Sequence, residues 1–200
     1  VNKRQLKNDD FKKIENAIKY EIGKEYILID ENKQDKEKIA FHYELIAKTS
    51  ADLFEKINIP VIFTENDEYK SAFEMRARVE KENKIYIFCG GSKHPFLTQK
   101  QNNTGRAVHD IYAHLICGCP FSFSGEFNAY LTQRLFYPVE TWKTLYAEIP
   151  GQTAAFYYMD GFNFQQKAIE APPEWIEKTM ILKTEYENKK YKYFDDIKTV

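Results

Sequence analysis

Apolar residues return at helical intervals through most of this chain, and that rhythm limits it to folds built chiefly from packed helices. In DDFKKIENAIKYEI they fall at Phe11, Ile14, Ala17, Ile18 and Ile22, with Asp9 or Asp10 placed to cap the first turn. The segment KEKIAFHYELIAKTSADLFEKI, residues 36–57, carries a second stripe through Ile39, Leu45, Ile46, Leu53 and Phe54, and Pro60 closes the connection that follows. His42 stands inside it among core-type neighbours, so it reads as a buried, hydrogen-bonded histidine rather than a ligand.

The rhythm changes between residues 61 and 91. VIFTE and IYIFCGG are short apolar runs and FEMRARVE alternates, which makes a small antiparallel sheet the economical reading. Beyond Gly91 the helical period returns in GRAVHDIYAHLI, GEFNAYLTQRLFY, VETWKTLYAEI and FQQKAIEAPPEWIEKTM, set apart by Gly and Pro. The expectation is an α+β fold, mostly helical with a small antiparallel β-sheet. It is a single domain over residues 1–200: an N-terminal helical part (1–70), a β-hairpin (71–91) and a helical part (92–200). A chain of 200 residues can bury a real core without staples, and no repeat or Gly/Ser linker marks a second domain.

Charge narrows the function classes. With 29 basic and 30 acidic residues the net charge is -1, so no global field is present to hold a phosphate backbone, and nucleic acid is not an expected partner. The C-terminal run KTEYENKKYKYF mixes lysines with glutamates and reads as a solvated helix face. Cys89, Cys117 and Cys119 form no CxxC pair, which argues against a zinc ribbon and for a reducing compartment; Cys117 and Cys119, in CGC, read as small buried residues. VNKRQLKNDDFKK lacks the apolar centre of a signal peptide and no run of about 18 apolar residues occurs, so neither export nor a membrane span is expected, and the expected location is cytoplasmic.

The chemistry concentrates in GRAVHDIYAHLICGCPFSFSGEFNAY, residues 105–130. On an α-helix, Val108, Ile111, Tyr112 and Leu115 share the core face, while Asp110 and His114 lie about 40° apart on the other side, flanked by Arg106 and Cys117. His109 then points elsewhere unless the helix borders a cleft or is distorted. The histidines are five apart, so this is not HExxH. Glu126 falls in the first turn after Ser122 or Ser124, where a helix N-terminus alone would favour a carboxylate, yet it can also complete an Asp/His/Glu set delivered from two helices. Such mixed ligands suit a divalent ion, zinc first, with manganese or iron as alternatives.

The order of motifs from His94 to Trp175 (KHPF, RAVHDIYAH, GEFNAY, EIPGQ, QQKA and APPEW) resembles a family of uncharacterised proteins from bacteriophages and mobile elements. That pattern runs as a His-Pro pair, RAVHD with a histidine four residues after the Asp, Gly-Glu, Glu-x-x-Gly-Gln, then Gln-Lys-Ala and a proline. The resemblance implies that His94, Arg106, His109, Asp110, His114, Glu126, Glu148 and Gln152 recur together as functional residues, and that a phage-encoded chain would work in a bacterial host cell. Phe127 stands where a second acid is usual. Glu148 and Gln152 are one helical turn apart, although Pro150 and Gly151 between them argue against a continuous helix.

The expected function is a metal-dependent hydrolase, metallopeptidase-like because no phosphate loop is present. His109, Asp110, His114 and Glu126 supply ligands or support them, Glu148 acts as base, and Arg106, Gln152 and His94 assist. The substrate is unknown, with a host protein or peptide one option. The alternatives are a non-catalytic, phage-encoded binding or inhibitory protein whose polar cluster is structural, and a non-haem iron oxidoreductase.

Overall fold

The computed structural model describes residues 8–91 and 93–197. Helix α1 (Asn8–Leu28) turns Phe11, Ile22 and Tyr26 inward. It crosses α7 (Gln152–Met159) so closely that a Cβ on Gly23 would lie 2.3 Å from the Ala154 carbonyl oxygen, a crossing that only glycine permits. Helix α2 (Lys36–Phe54) starts where Asp35 accepts a hydrogen bond from the Lys38 N–H, and buries Ile39, Tyr43, Ile46, Ala47 and Leu53. His42 is buried there with Nδ1 3.0 Å from Thr144 Oγ1, a satisfied core histidine.

The sheet corrects the sequence reading. Strands β1 (Val61–Thr64) and β2 (Ile85–Phe88) pair in parallel, Val61 opposite Ile85 and Thr64 opposite Phe88. Neither an antiparallel sheet nor a β-hairpin at 71–91 is found among the described residues. FEMRARVE is instead helix α3 (Ala72–Glu82), the crossover that parallel strands require. Ser71 accepts from the Glu74 N–H to start α3, Ala72, Met75 and Val79 face inward at i, i+3 and i+7, and Asn83 ends it at φ 52°. The apparent alternation misleads because Phe73, one of its apolar members, is 82% exposed.

Helix α4 (Gln99–His109) runs without a break into a π-helical segment, Asp110–Ile116. It lies between two apolar clusters: Val108 and Ala113 pack into the larger one with α1, α2 and α5 (Phe123–Gln133), and Ala107 and Ile111 into a smaller one with Met75, Ile85 and Ile87. Arg76, from α3, donates to the carbonyls of Leu115 (2.8 Å) and Ile116 (3.2 Å) and so caps the widened turn.

Helix α6 (Trp142–Tyr146) continues through a second π segment, Ala147–Gly151, into α7. The run is therefore continuous past Pro150, because the wider turn accommodates a residue with no N–H to give. The stretch FQQKAIEAP is not helical. It passes over α1 and the turn that leads to α2, with Lys167 N–H on Tyr26 Oη, Ala168 N–H on Glu31 and Glu170 N–H on Gln34, and helix α8 (Pro173–Ile197) opens at the second proline, where a missing N–H costs nothing. The solvated-face reading of residues 183–194 rests on side chains that lie mostly outside the described residues, as does the N-terminal stretch 1–7. No described helix is long and apolar enough to cross a membrane.

Candidate metal centre and its cavity

The π segment decides which side chains meet. In this segment the Cys117 N–H bonds to the Tyr112 carbonyl five residues back, so the turn is wider and the fifth neighbour, which an α-helix turns well away, comes round to the same side. His109 and His114 thereby face the same point, their Nε2 atoms 2.9 Å apart. Glu126, one turn into α5, completes the group with Oε2 3.2 Å from His109 Nε2 and Oε1 3.3 Å from His114 Nε2. Four-coordinate zinc with ligands at about 2.0–2.1 Å holds neighbouring ligand atoms about 3.3 to 3.4 Å apart. The three side chains could hold one metal ion.

The far side of each ring is committed. His114 Nδ1 lies 2.7 Å from the Cys119 carbonyl oxygen, an acceptor only, so Nδ1 carries the proton and Nε2 offers a lone pair in the neutral ring. His109 Nδ1 lies 2.9 Å from Gln133 Oε1, and the Gln133 amide in turn donates to Tyr137 Oη (3.4 Å), which is 2.8 Å from Ser50 Oγ. Oriented imidazoles of this kind accompany metal-binding histidines, because the outer hydrogen bond fixes tautomer and direction together. With no ion bound, burial pulls the His109 imidazolium down, but the hydrogen bond and charge of Glu126, with help from Asp110, outweigh it and hold the pKa at about 9. Burial likewise opposes ionised Glu126, yet hydrogen bonds and charge from both histidines bring its carboxyl down to about 2.

Asp110 does not join them. The helical wheel that pairs Asp110 with His114 assumes an ordinary α-helical turn, and the π turn gives the fifth-residue partner, His109, that place instead. Asp110 stays near enough to act through its charge on His109, and burial raises its own pKa.

A cavity of about 260 Å³ opens beside His109 and Glu126 and brings in most of the remaining candidates: Arg106, Glu148 and Gln152 line it. Glu148 is held by four donors. Oε1 takes the Tyr43 hydroxyl and His94 Nε2 (3.4 Å), and Oε2 takes the side-chain amides of Gln152 (2.7 Å) and Gln166 (2.8 Å). His94 Nδ1 accepts from the Phe96 and Leu97 N–H groups at 3.0 and 2.9 Å, which leaves the ring proton on Nε2 and makes His94 a donor to Glu148 from outside the cavity wall. A carboxylate has about four lone-pair directions, and all of those on Glu148 are used. Burial and the Glu148 charge push the Tyr43 hydroxyl well above its usual range, so it stays a donor.

Sequence reasoning missed Gln133, the Cys119 carbonyl, Tyr137, Gln166, Asn102 and Arg76. Gln133 had a signal, since it follows Glu126 by seven residues and so shares its helix face. The Cys119 carbonyl had none, being backbone placed by a loop. Cys119 itself is buried and Cys117 exposed. No family model, curated protein or solved structure matches the chain.

Proposed function

We propose that the protein is a metal-dependent hydrolase, with zinc or a similar divalent ion on His109, His114 and Glu126 and the bond to be cleaved in the adjoining cavity. The observation that carries the reading is the donor set: two imidazole Nε2 atoms and a carboxylate spaced 2.9 to 3.3 Å apart, both rings oriented from behind. Two histidines and a glutamate are a known catalytic zinc set, in which the position left open takes water and lowers its pKa toward neutrality. Glu148, saturated by four donors, is a positioning residue that holds Tyr43, Gln152 and Gln166 against the cavity. The same two-histidine, one-carboxylate set also serves non-haem iron, so the ion's identity selects between hydrolysis and oxygen chemistry.

Elemental analysis of protein purified without chelators or a metal-affinity tag tests this, beside His114→Ala and Glu126→Ala variants of verified fold. About one equivalent of zinc or manganese in the native protein, lost in both variants, with metal-dependent cleavage of amide or ester substrates, is the expected result. One equivalent of iron with redox activity moves the reading to an oxidoreductase. No metal after reconstitution makes the cluster a structural ion-pair network and the protein a binding module.

A further inference from the structure

Helix α4 presents one continuous face to the cavity. Asn102, Gly105, Arg106 and His109 lie at i, i+3, i+4 and i+7, so the face that ends at the metal ligand His109 begins with an amide and a guanidinium. Asn102 is 7% exposed, and its Nδ2 is a buried donor with no hydrogen-bond partner. A buried amide N–H₂ left without an acceptor is costly, and native proteins rarely keep one without a use. Arg106 spends Nη1 on the carbonyls of Gly90 (2.7 Å) and Phe88 (3.3 Å); Nε and Nη2 donate to no acceptor among the described residues. Between the two, Gly105 leaves room, since a Cβ there would meet only Ser50 Oγ at 3.9 Å.

The geometry points to a carboxylate-binding subsite: Asn102 and Arg106 receive a single carboxylate of the substrate and hold its amide toward the cluster at His109. This deepens the hydrolase reading and rests on it for the cleavage step, though not for binding. A planar carboxylate matches the fork of a guanidinium and takes a further donor from an amide. A phosphate dianion fits worse, because the carboxylates of Asp110 and Glu148 already act on the one guanidinium, and Glu126 adds a further negative charge to the cavity wall. The cavity, at about 260 Å³, is below the usual range of about 300–1,000 Å³ for drug-sized ligands, which limits the occupant to an N-acyl amino acid or the last residue of a peptide.

The test is calorimetric binding to zinc-loaded and zinc-free protein of four probes: N-acetyl-L-alanine, its uncharged methylamide, tetraalanine and inorganic phosphate. Asn102→Leu is the main variant, because it keeps the volume and sacrifices no internal bond of Nδ2; Arg106→Lys, which keeps the charge and loses the fork, is the second. Expected is binding of N-acetyl-L-alanine or tetraalanine, whichever is the natural form, weakened at least tenfold in Asn102→Leu and in Arg106→Lys, and weaker still for the methylamide. Equal affinity for the methylamide, preference for phosphate, or unchanged affinity in Asn102→Leu overturns the subsite. Carboxylate binding by a protein that holds no metal leaves the subsite standing and removes the hydrolase; metal without carboxylate binding does the reverse.

Discussion

At the His109, His114 and Glu126 cluster each histidine does two jobs with two nitrogens, and the outer nitrogen governs the inner. Gln133 accepts a hydrogen bond from His109 Nδ1–H and thereby keeps Nε2 directed at Glu126 and His114, where an ion would take its lone pair once the proton has left. Replacing Gln133 with Leu deletes that acceptor while keeping an apolar filler of similar length, so zinc affinity should fall by about 10- to 100-fold, the usual cost of losing such a partner. A competition titration against a chromophoric chelator measures this; wild-type affinity in Gln133→Leu would show that the ring is oriented by packing alone. The participating residue types could be read directly from the sequence, because His109, His114 and Glu126 sit within one short stretch. Their pairing could not, since it depends on the local number of residues per turn. An ideal wheel pairs Asp110 with His114 and admits His109 only if the helix is distorted, for that reason alone.

Helices whose ends carry caps were legible as elements, and those whose shape depends on a distant partner were not. The start of α2 follows from Asp35 and its own spacing. The π turn at Asp110–Ile116 depends on α3, which supplies Arg76 to its last carbonyls, and on a loop that abuts α5. Segment α3 itself was misread because Phe73, Met75 and Val79 happen to alternate, and only the cap at Ser71 and the crossover between parallel strands reveal a helix. The contact of loop and helix at Gly125 gives a direct test. A Cβ there would lie 1.9 Å from the Pro120 carbonyl oxygen, so Gly125→Ala must push the loop away, and with it the neighbouring Cys119 carbonyl that orients His114. Overpacking of this kind costs about 1–3 kcal/mol. Gly125→Ala should therefore lower the midpoint of denaturant unfolding and weaken zinc binding together. A variant that loses stability and keeps native zinc affinity would separate the loop from the site.

Across the whole molecule the cluster joins the α4 and π run, caught between two apolar clusters, to α5 in the larger one. An ion at that junction should therefore act on the stability of the entire fold, and pH should tune it in a predictable direction. In the metal-free protein the raised pKa of His109, about 9 against an ordinary 6.5, contributes stability that is complete below pH 6.5 and lost as pH rises through about 9. The lowered pKa of Glu126, about 2 against 4.5, contributes stability present above pH 4.5 and lost as pH falls through about 2. These two groups together favour the metal-free fold most between pH 4.5 and 6.5. The ion works against the same proton: it needs the His109 lone pair, so binding releases a proton and affinity climbs by up to about tenfold per pH unit toward pH 9. Free zinc at one hundred times its Kd adds about 2.7 kcal/mol, which for a chain of this size raises Tm by roughly 5–11 °C. At one fixed free zinc concentration, the gap between zinc-loaded and metal-free melting curves should widen steadily from pH 6 to pH 9, because the metal-free fold loses the His109 contribution while the zinc-loaded fold, whose His109 has already given up its proton, does not. Buffered-zinc calorimetric scans at each pH decide it. A gap that stays constant over that range would mean that no proton leaves His109 when the ion binds, and His109 would then be a neighbour of the ion rather than its ligand.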